Sequence, residues 1–142
     1  MVDRLVLERL FSLINGYLND LKSVKDVTFA KYAKDVKLQR FTERTLHIAI
    51  EACLDIANHI ISDERLREPE DNRDVFKILG ENKIISARLQ KKLEDMASFR
   101  NLIVHSYAKI DNEIVFGILK KRLRDIEEFM KVVSKSKKIG RK

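Results

Sequence analysis

The sequence has few of the residues that interrupt or cross-link a chain. Among its 142 residues are four glycines, one proline, one cysteine and no tryptophan. The single cysteine, Cys53, excludes a disulfide within one chain and is expected to be a small core residue. The chain is 44% hydrophobic and 36% charged, and Leu, Ile, Lys, Glu and Arg dominate it. We therefore predict a single all-α domain over residues 1–142, an up-and-down bundle of four to five helices.

Several motifs of catalytic and binding sites are absent as well. No Glu-x-x-His pair of a di-iron bundle occurs, and the histidines do not cluster with acidic residues as metal ligands do. There is no Gly-rich phosphate loop, no Walker lysine motif and no visible Ser or Cys nucleophile paired with a base. We expect neither a metal nor a cofactor. With no signal peptide and no bilayer-spanning apolar run, we expect a cytoplasmic protein without a membrane partner.

The chain carries a net charge of +7, which favours a polyanionic partner. Charge alone does not identify that partner, because a basic surface is also a common means of keeping a protein soluble. The last residues, 131–142, are especially rich in Lys and Arg. We interpret them as a frayed basic tail that adds non-specific attraction to phosphates.

Polar caps and apolar periodicity predict where the helices lie. The expected N-caps of the four longer helices are Asp3, Asp35, Ser86 and Asp111. The first of these helices buries a stripe that includes Leu10, Leu13 and Tyr17. A short helix runs from Asn72 to a stop at Gly80, and Thr28 can start a single turn. The last helix is expected to run unbroken to about residue 134.

The helix that begins at Asp35 is the longest and is apolar around most of its circumference. Such a helix is either central in its bundle or covered by a partner, and we predict a two-fold homodimer. One narrow polar stripe follows it, consisting of Arg40, Arg44, His47, Glu51, Asp55, Asn58 and Ser62. Glu51 and Asp55 lie among aliphatic residues, so they need a cation nearby, and Arg100 is the expected one. An internal ion pair that fixes helix register explains these carboxylates equally well.

The segment from Arg100 to Tyr107 reads RNLIVHSY and combines a permanent cation, an imidazole and a phenol. Arg100 belongs to the helical face marked by the apolar residues Leu89, Leu93, Met96 and Ile103. Because a guanidinium cannot lose its proton, burying it requires an anionic partner from the protein or from a ligand. The alternative is an ordinary ion pair beside a solvated histidine.

Residues 99–129 read FRNLIVHSYAKIDNEIVFGILKKRLRDIEEF and resemble the Arg-Asn-x-x-x-His-x-Tyr signature of HepT-like proteins in the HEPN superfamily. Residues 48–59, IAIEACLDIANH, resemble the central helix of that family. The resemblance implies a homodimeric toxin that cleaves RNA as a metal-independent endoribonuclease. It implies Arg100 and His105 as catalytic residues, with Asn101 in support. It also implies a minimal nucleotidyltransferase antitoxin that adenylylates Tyr107.

Helix geometry bears on how such a site is assembled. Arg100 and His105 are five positions apart, so on a regular helix they point about 140° away from each other. One chain therefore forms a compact site only if the helix bends or ends near Val104, and pairing two chains relaxes that demand. Two other functions fit the same residues. The first is a non-catalytic, nucleotide-binding subunit that partners a nucleotidyltransferase, and the second is a structural adaptor. An RNA cleavage assay separates them from a nuclease.

Overall fold

A computed structural model describes residues 3–105 and 110–136 of the chain, and this part of the chain contains helices and no strand. The helices are α1 (Arg4–Ser23), α2 (Phe29–Lys34), α3 (Val36–Asp63), α4 (Asn72–Glu81), α5 (Ala87–His105), α6 (Asn112–Lys121) and α7 (Leu123–Lys135). The predicted all-α class is confirmed. The described residues form seven helices rather than four to five, because α2 is a separate short helix and the expected C-terminal helix is divided in two.

The predicted helix starts are confirmed by side-chain caps. The carboxylates of Asp3, Asp35 and Asp111 each accept a backbone N–H from the first turn of α1, α3 and α6. At the start of α5, the Ser86 hydroxyl accepts the N–H of Leu89 at 3.1 Å. Each cap satisfies a backbone donor that the helix itself leaves without a partner.

Helix α3 is the central element of the fold. It contacts each of the other six described helices, and most of its apolar residues are buried. The polar stripe predicted along it faces outward, with Arg40, Arg44, Asp55, Asn58 and Ser62 exposed. The expectation of a central apolar helix is therefore confirmed, and its polar stripe forms an open surface of the single chain.

The predicted buried stripe of α1 is only partly right. Leu13, which we expected to face inward, is 45% exposed, whereas Leu10 and Tyr17 are half-buried and pack against the core. The buried residues of the helix are Leu7, Ile14, Leu18 and Leu21. The helix has apolar residues at overlapping helical spacings, so more than one stripe fits its sequence. The side that packs is fixed by the contact with α3.

The predicted stop of α4 at Gly80 is also wrong, because the helix continues to Glu81. After the end of this helix, the residue with positive φ is Lys83, at 59°. Gly80 lies in the last turn for a different reason: a Cβ there would stand 1.8 Å from the Oε1 atom of Gln90 on α5. The glycine therefore permits close packing of α4 against α5.

The C-terminal helix is interrupted at Arg122, between α6 and α7. The Arg122 Nε–H donates to the buried carboxylate of Asp125 at 2.6 Å, and its Nη2 donates to the Lys92 carbonyl at 3.3 Å. No glycine or proline marks this break, so the sequence gives no local signal for it. The predicted end of the last helix near residue 134 is confirmed, because α7 runs to Lys135 and buries Val133. The basic tail therefore does not fray from residue 131 as we also expected, and residues 137–142 lie outside the described part.

Candidate active site

Arg100 lies on the inner side of α5, as its spacing predicted. The residues Leu89, Leu93, Met96 and Ile103 of that side are buried, and the Arg100 side chain is 21% exposed. Its Nε–H donates to Oε1 of Glu51 on α3. The expected contact between Arg100 and a carboxylate of the α3 stripe is therefore confirmed for Glu51. This ion pair compensates the charge of a guanidinium that is largely removed from water.

Asn101 holds Arg100 from a second direction. Its side-chain oxygen accepts a hydrogen bond from Nη1 of Arg100 at 3.1 Å and another from Nδ2 of Asn72 at 3.0 Å. Asn72 is the first residue of α4. The hydrogen bonds from Glu51 through Arg100 and Asn101 to Asn72 therefore link α3, α5 and α4. Sequence reasoning did not identify Asn72, whose partner lies 29 positions away along the chain.

His47 extends this group of contacts along α3. Its Nδ1 lies 3.4 Å from Nη1 of Arg44, and its Nε2 lies 3.9 Å from Oε1 of Glu51. Since arginine only donates, the neutral ring accepts at Nδ1 and carries its proton on Nε2, facing Glu51. Burial lowers the pKa of His47; Glu51 acts in the opposite direction, and Arg100 and Arg44 lower the pKa further.

We placed His47 in the polar stripe but gave it no role at the site. The signal was available in the sequence, because Arg44, His47 and Glu51 follow at helical spacings of three and four. In the structure this spacing places the imidazole between a cation and the carboxylate that holds Arg100.

Asp55 does not share the role of Glu51. Its side chain is exposed and forms neither a hydrogen bond nor an ion pair with Arg100. Partial burial and the negative charge of Glu51 raise the pKa of Asp55, while His59 lowers it. Of the two carboxylates that we expected near Arg100, only Glu51 therefore contacts it. Glu51 is one helical turn closer to His47 than Asp55 is.

His105 is the last residue of α5 and is exposed. Helix α5 ends at this residue, and five positions along a regular helix correspond to about 140° around its axis. A single chain thus does not bring the two groups together along one helical face. Tyr107 lies outside the described residues. Within the described ranges, no cluster of three or more His, Cys, Asp or Glu residues has the arrangement of a metal site, and no helix is long and apolar enough to cross a membrane.

Comparison with known proteins identifies relatives of this chain. The chain is 35% identical over 104 residues to the mRNA nuclease HepT of Shewanella oneidensis, covering 73% of this chain and 78% of that protein. It is 30% identical over 115 residues to the tRNA nuclease HepT of Aphanizomenon flos-aquae, covering 81% and 78%.

A solved structure is similar over nearly the whole chain. The tri-AMPylated Shewanella oneidensis HEPN toxin, in complex with MNT antitoxin, superimposes with a TM-score of 0.86 at 29% identity, covering 96% of this chain and 100% of that one. Residues 14–133 match the family described as Ribonuclease HepT-like. The chain therefore belongs to the ribonuclease HepT-like family.

Proposed function

We propose that this ribonuclease is the toxin of a toxin–antitoxin pair and cleaves RNA without a metal, at a composite site formed by Arg100 and His105 across a homodimer. The observation that carries the proposal is the fixation of Arg100 by Glu51 and Asn101. An arginine held by a carboxylate of α3 and by an amide that is itself bonded to α4 is oriented before substrate arrives, as a group that stabilises a transition state must be.

Arg100 supplies the positive charge. The guanidinium has five N–H donors, and its contacts within the described residues use the Nε–H and one hydrogen of Nη1. The hydrogens of Nη2 are available to the oxygens of a phosphate. As the phosphorus becomes five-coordinate, its oxygens gain negative charge, which a fixed guanidinium stabilises more in the transition state than in the ground state.

His105 supplies proton transfer. RNA carries its own nucleophile, the 2′-hydroxyl, which gives up its proton as its oxygen bonds to phosphorus. The bond from phosphorus to the 5′-oxygen breaks, and that oxygen takes up a proton. The products are a 2′,3′-cyclic phosphate and a free 5′-hydroxyl. Histidine is suited to these transfers because its ordinary pKa lies near neutrality.

Pairing two chains brings these groups together without requiring α5 to bend. The regular path of α5 separates Arg100 and His105 by about 140° around the helix axis. The open surface of α3 includes charged residues and also Val36 and Phe41, which are 59% and 40% exposed. A two-fold axis beside this surface would pair the histidine of one chain with the arginine of its partner.

The proposed antitoxin is a minimal nucleotidyltransferase that adenylylates Tyr107. This proposal is supported by the similar HEPN toxin, which is AMPylated and bound to MNT antitoxin. Tyr107 follows His105 by two residues, so an adenylate on its oxygen would bring negative charge and bulk close to the catalytic groups. The adenylate would compete with the RNA phosphate for Arg100.

A cleavage assay tests the proposal. We expect purified protein to cleave single-stranded RNA in excess chelator and to leave 2′,3′-cyclic phosphate ends. Arg100→Ala and His105→Ala should each abolish cleavage while retaining the fold and the dimer. Arg122→Ala is the matched control, because it also removes a partly buried, ion-paired arginine. Absence of cleavage by the wild type, or its loss on chelation, would contradict the proposal and favour a nucleotide-binding subunit or a metal-dependent reaction.

A further inference from the structure

A basic depression lies on the side of the molecule formed by the end of α1 and the junction of α6 with α7. It has a volume of about 340 Å³, and its lining contains five cations: Lys22, Lys25, Lys120, Lys121 and Arg124. Its lining also includes Glu127, which is paired with Lys22 at 2.5 Å. Of the other four cations, Lys121 and Arg124 are exposed, and Lys120 lies over the Phe116 ring.

An aromatic depression of about 530 Å³ adjoins it and shares Lys120 and Lys121. Phe29 of α2 and Phe116 of α6 line it, with ring centroids 5.3 Å apart in an edge-on arrangement. Phe29 is 37% exposed, which is unusual for a large aromatic side chain. Gly117 lies in the same lining, and the space where its side chain would be is open. The Phe29 ring is thus partly accessible beside Lys120 and Lys121, and Glu113 is the acidic residue of this lining.

Lys120 connects the two depressions. Its Nζ lies 5.2 Å from the centroid of the Phe116 ring, and the same residue lines the basic depression. Cations that follow a groove and aromatic rings beside them are the two features that hold a single strand of nucleic acid. The cations meet phosphates and the rings stack on bases.

We propose that these two depressions, which we call the α6 cleft, bind single-stranded RNA. The inference rests on the proposed function, because it assigns this surface to the flanking part of the same substrate. The residues that fix Arg100 belong to α3, α4 and α5, whereas the α6 cleft is built from α1, α2, α6 and α7. The cleft therefore contributes affinity for the strand and takes no part in the chemistry.

The charged half of the cleft is tested by the double variant Lys121→Glu with Arg124→Glu, which leaves the Lys22–Glu127 pair intact. Binding of a fluorescent single-stranded RNA is measured in a His105→Ala background, so that the RNA is not cleaved. We expect the affinity to fall about tenfold or more, and the slope of log K against log salt to decrease by about 1.4. The double variant Lys77→Glu with Lys91→Glu reverses two exposed lysines of α4 and α5 and should bind nearly as tightly as the parent protein.

The aromatic half is tested by Phe29→Leu, which keeps an apolar side chain but removes the stacking surface. We expect a loss of affinity of about fivefold or more with an unchanged salt slope. Thermal unfolding of all variants confirms that they are folded. RNA binding by both cleft variants at the affinity of the parent protein overturns the proposal. The proposal is also overturned if the cleft variants keep RNA binding and lose only the binding of an antitoxin, because the surface would then be a protein-binding site.

Failure of the proposed function gives a different result. The cleft proposal stands and the nuclease proposal fails if two results are found together. The protein with His105 intact does not cleave RNA, and the His105→Ala protein binds RNA whereas its cleft variants do not. If cleavage occurs and the cleft variants show an unchanged KM, the nuclease proposal stands and the cleft proposal fails.

Discussion

Arg100 of α5 donates its Nε–H to Glu51 of α3, 49 residues away in the chain. This contact joins the helix of the proposed catalytic motif to the central helix of the fold. Both side chains are partly exposed, at 21% and 37%, so the pair lies at the edge of the core where a ligand has access. The pair stabilises the packing of the two helices and also fixes the direction of the guanidinium.

Glu51→Ala should lower both stability and nuclease activity. It leaves Arg100 without its carboxylate partner, and we expect the free energy of unfolding to fall by about 1–2 kcal/mol, a value reduced for the partial exposure of the pair. Glu51→Gln should recover part of the activity, because the amide oxygen still accepts the Nε–H. Denaturant unfolding and RNA cleavage rates measure the two effects.

Asp55→Asn is the control for this experiment. Asp55 lies on the same stripe of α3 but does not contact Arg100, so its substitution should change stability by less than about 0.5 kcal/mol. An equal loss of activity in the Asp55 and Glu51 variants would mean that the Arg100–Glu51 contact has no special role.

The lowered pKa of His47 predicts a pH dependence of stability. Burial makes the folded protein bind a proton at His47 less readily than the unfolded chain does. Stability should therefore fall as the pH drops through the ordinary histidine pKa of about 6.5, and this part of the dependence should be absent in His47→Gln. We would measure unfolding by denaturant between about pH 7.5 and 5.5. If the free energy of unfolding depends on pH identically in the wild type and in His47→Gln, the pH dependence does not come from His47.

Asp125→Asn should destabilise the junction of α6 and α7. The carboxylate is 1% exposed and lies between Arg122, at 2.6 Å, and Lys92, at 3.7 Å. Removing its charge deprives Arg122 and Lys92 of their buried anionic partner, at a cost of about 2 kcal/mol. Asp95→Asn, whose carboxylate is 49% exposed and 3.9 Å from Arg122, should cost far less. Equal unfolding midpoints for the two variants would show that the break depends on other contacts.

Tyr107→Phe should retain most nuclease activity but escape adenylylation. In the wild type, incubation with the cognate nucleotidyltransferase and ATP should add the mass of adenylate to the peptide that contains Tyr107. The phenylalanine variant lacks the acceptor oxygen and should stay active. If an enzymatically active partner still silences this variant normally, inhibition would have to come from occlusion of the site.

Much of the fold follows from local signals in the sequence. Asp3, Asp35, Ser86 and Asp111 cap helices as their side chains and positions predict, and the spacing of Leu89, Leu93 and Met96 places Arg100 on a packed face. These features depend on neighbours within a few residues. A polar cap and a periodic apolar stripe are sufficient to identify them.

The features that could not be predicted depend on distant contacts. At the break between α6 and α7, Arg122 donates to the carbonyl of Lys92, 30 positions away, as well as to the nearby Asp125, and no glycine or proline marks the position. Similarly, nothing local distinguishes Glu51 from Asp55 as the partner of Arg100, since both lie on one polar stripe. Only the packing of α5 against α3 selects between them.

The composite site is tested most directly by combining two inactive variants. Arg100→Ala and His105→Ala are produced with different affinity tags, and the mixed dimer is purified through both. Each pure homodimer should be inactive. If the arginine of one chain acts with the histidine of the other, the mixed dimer holds one complete set of groups and should recover activity on the order of half that of the wild type. A mixed dimer as inactive as the two homodimers, with its fold and assembly intact, would contradict a site shared in this way between two chains.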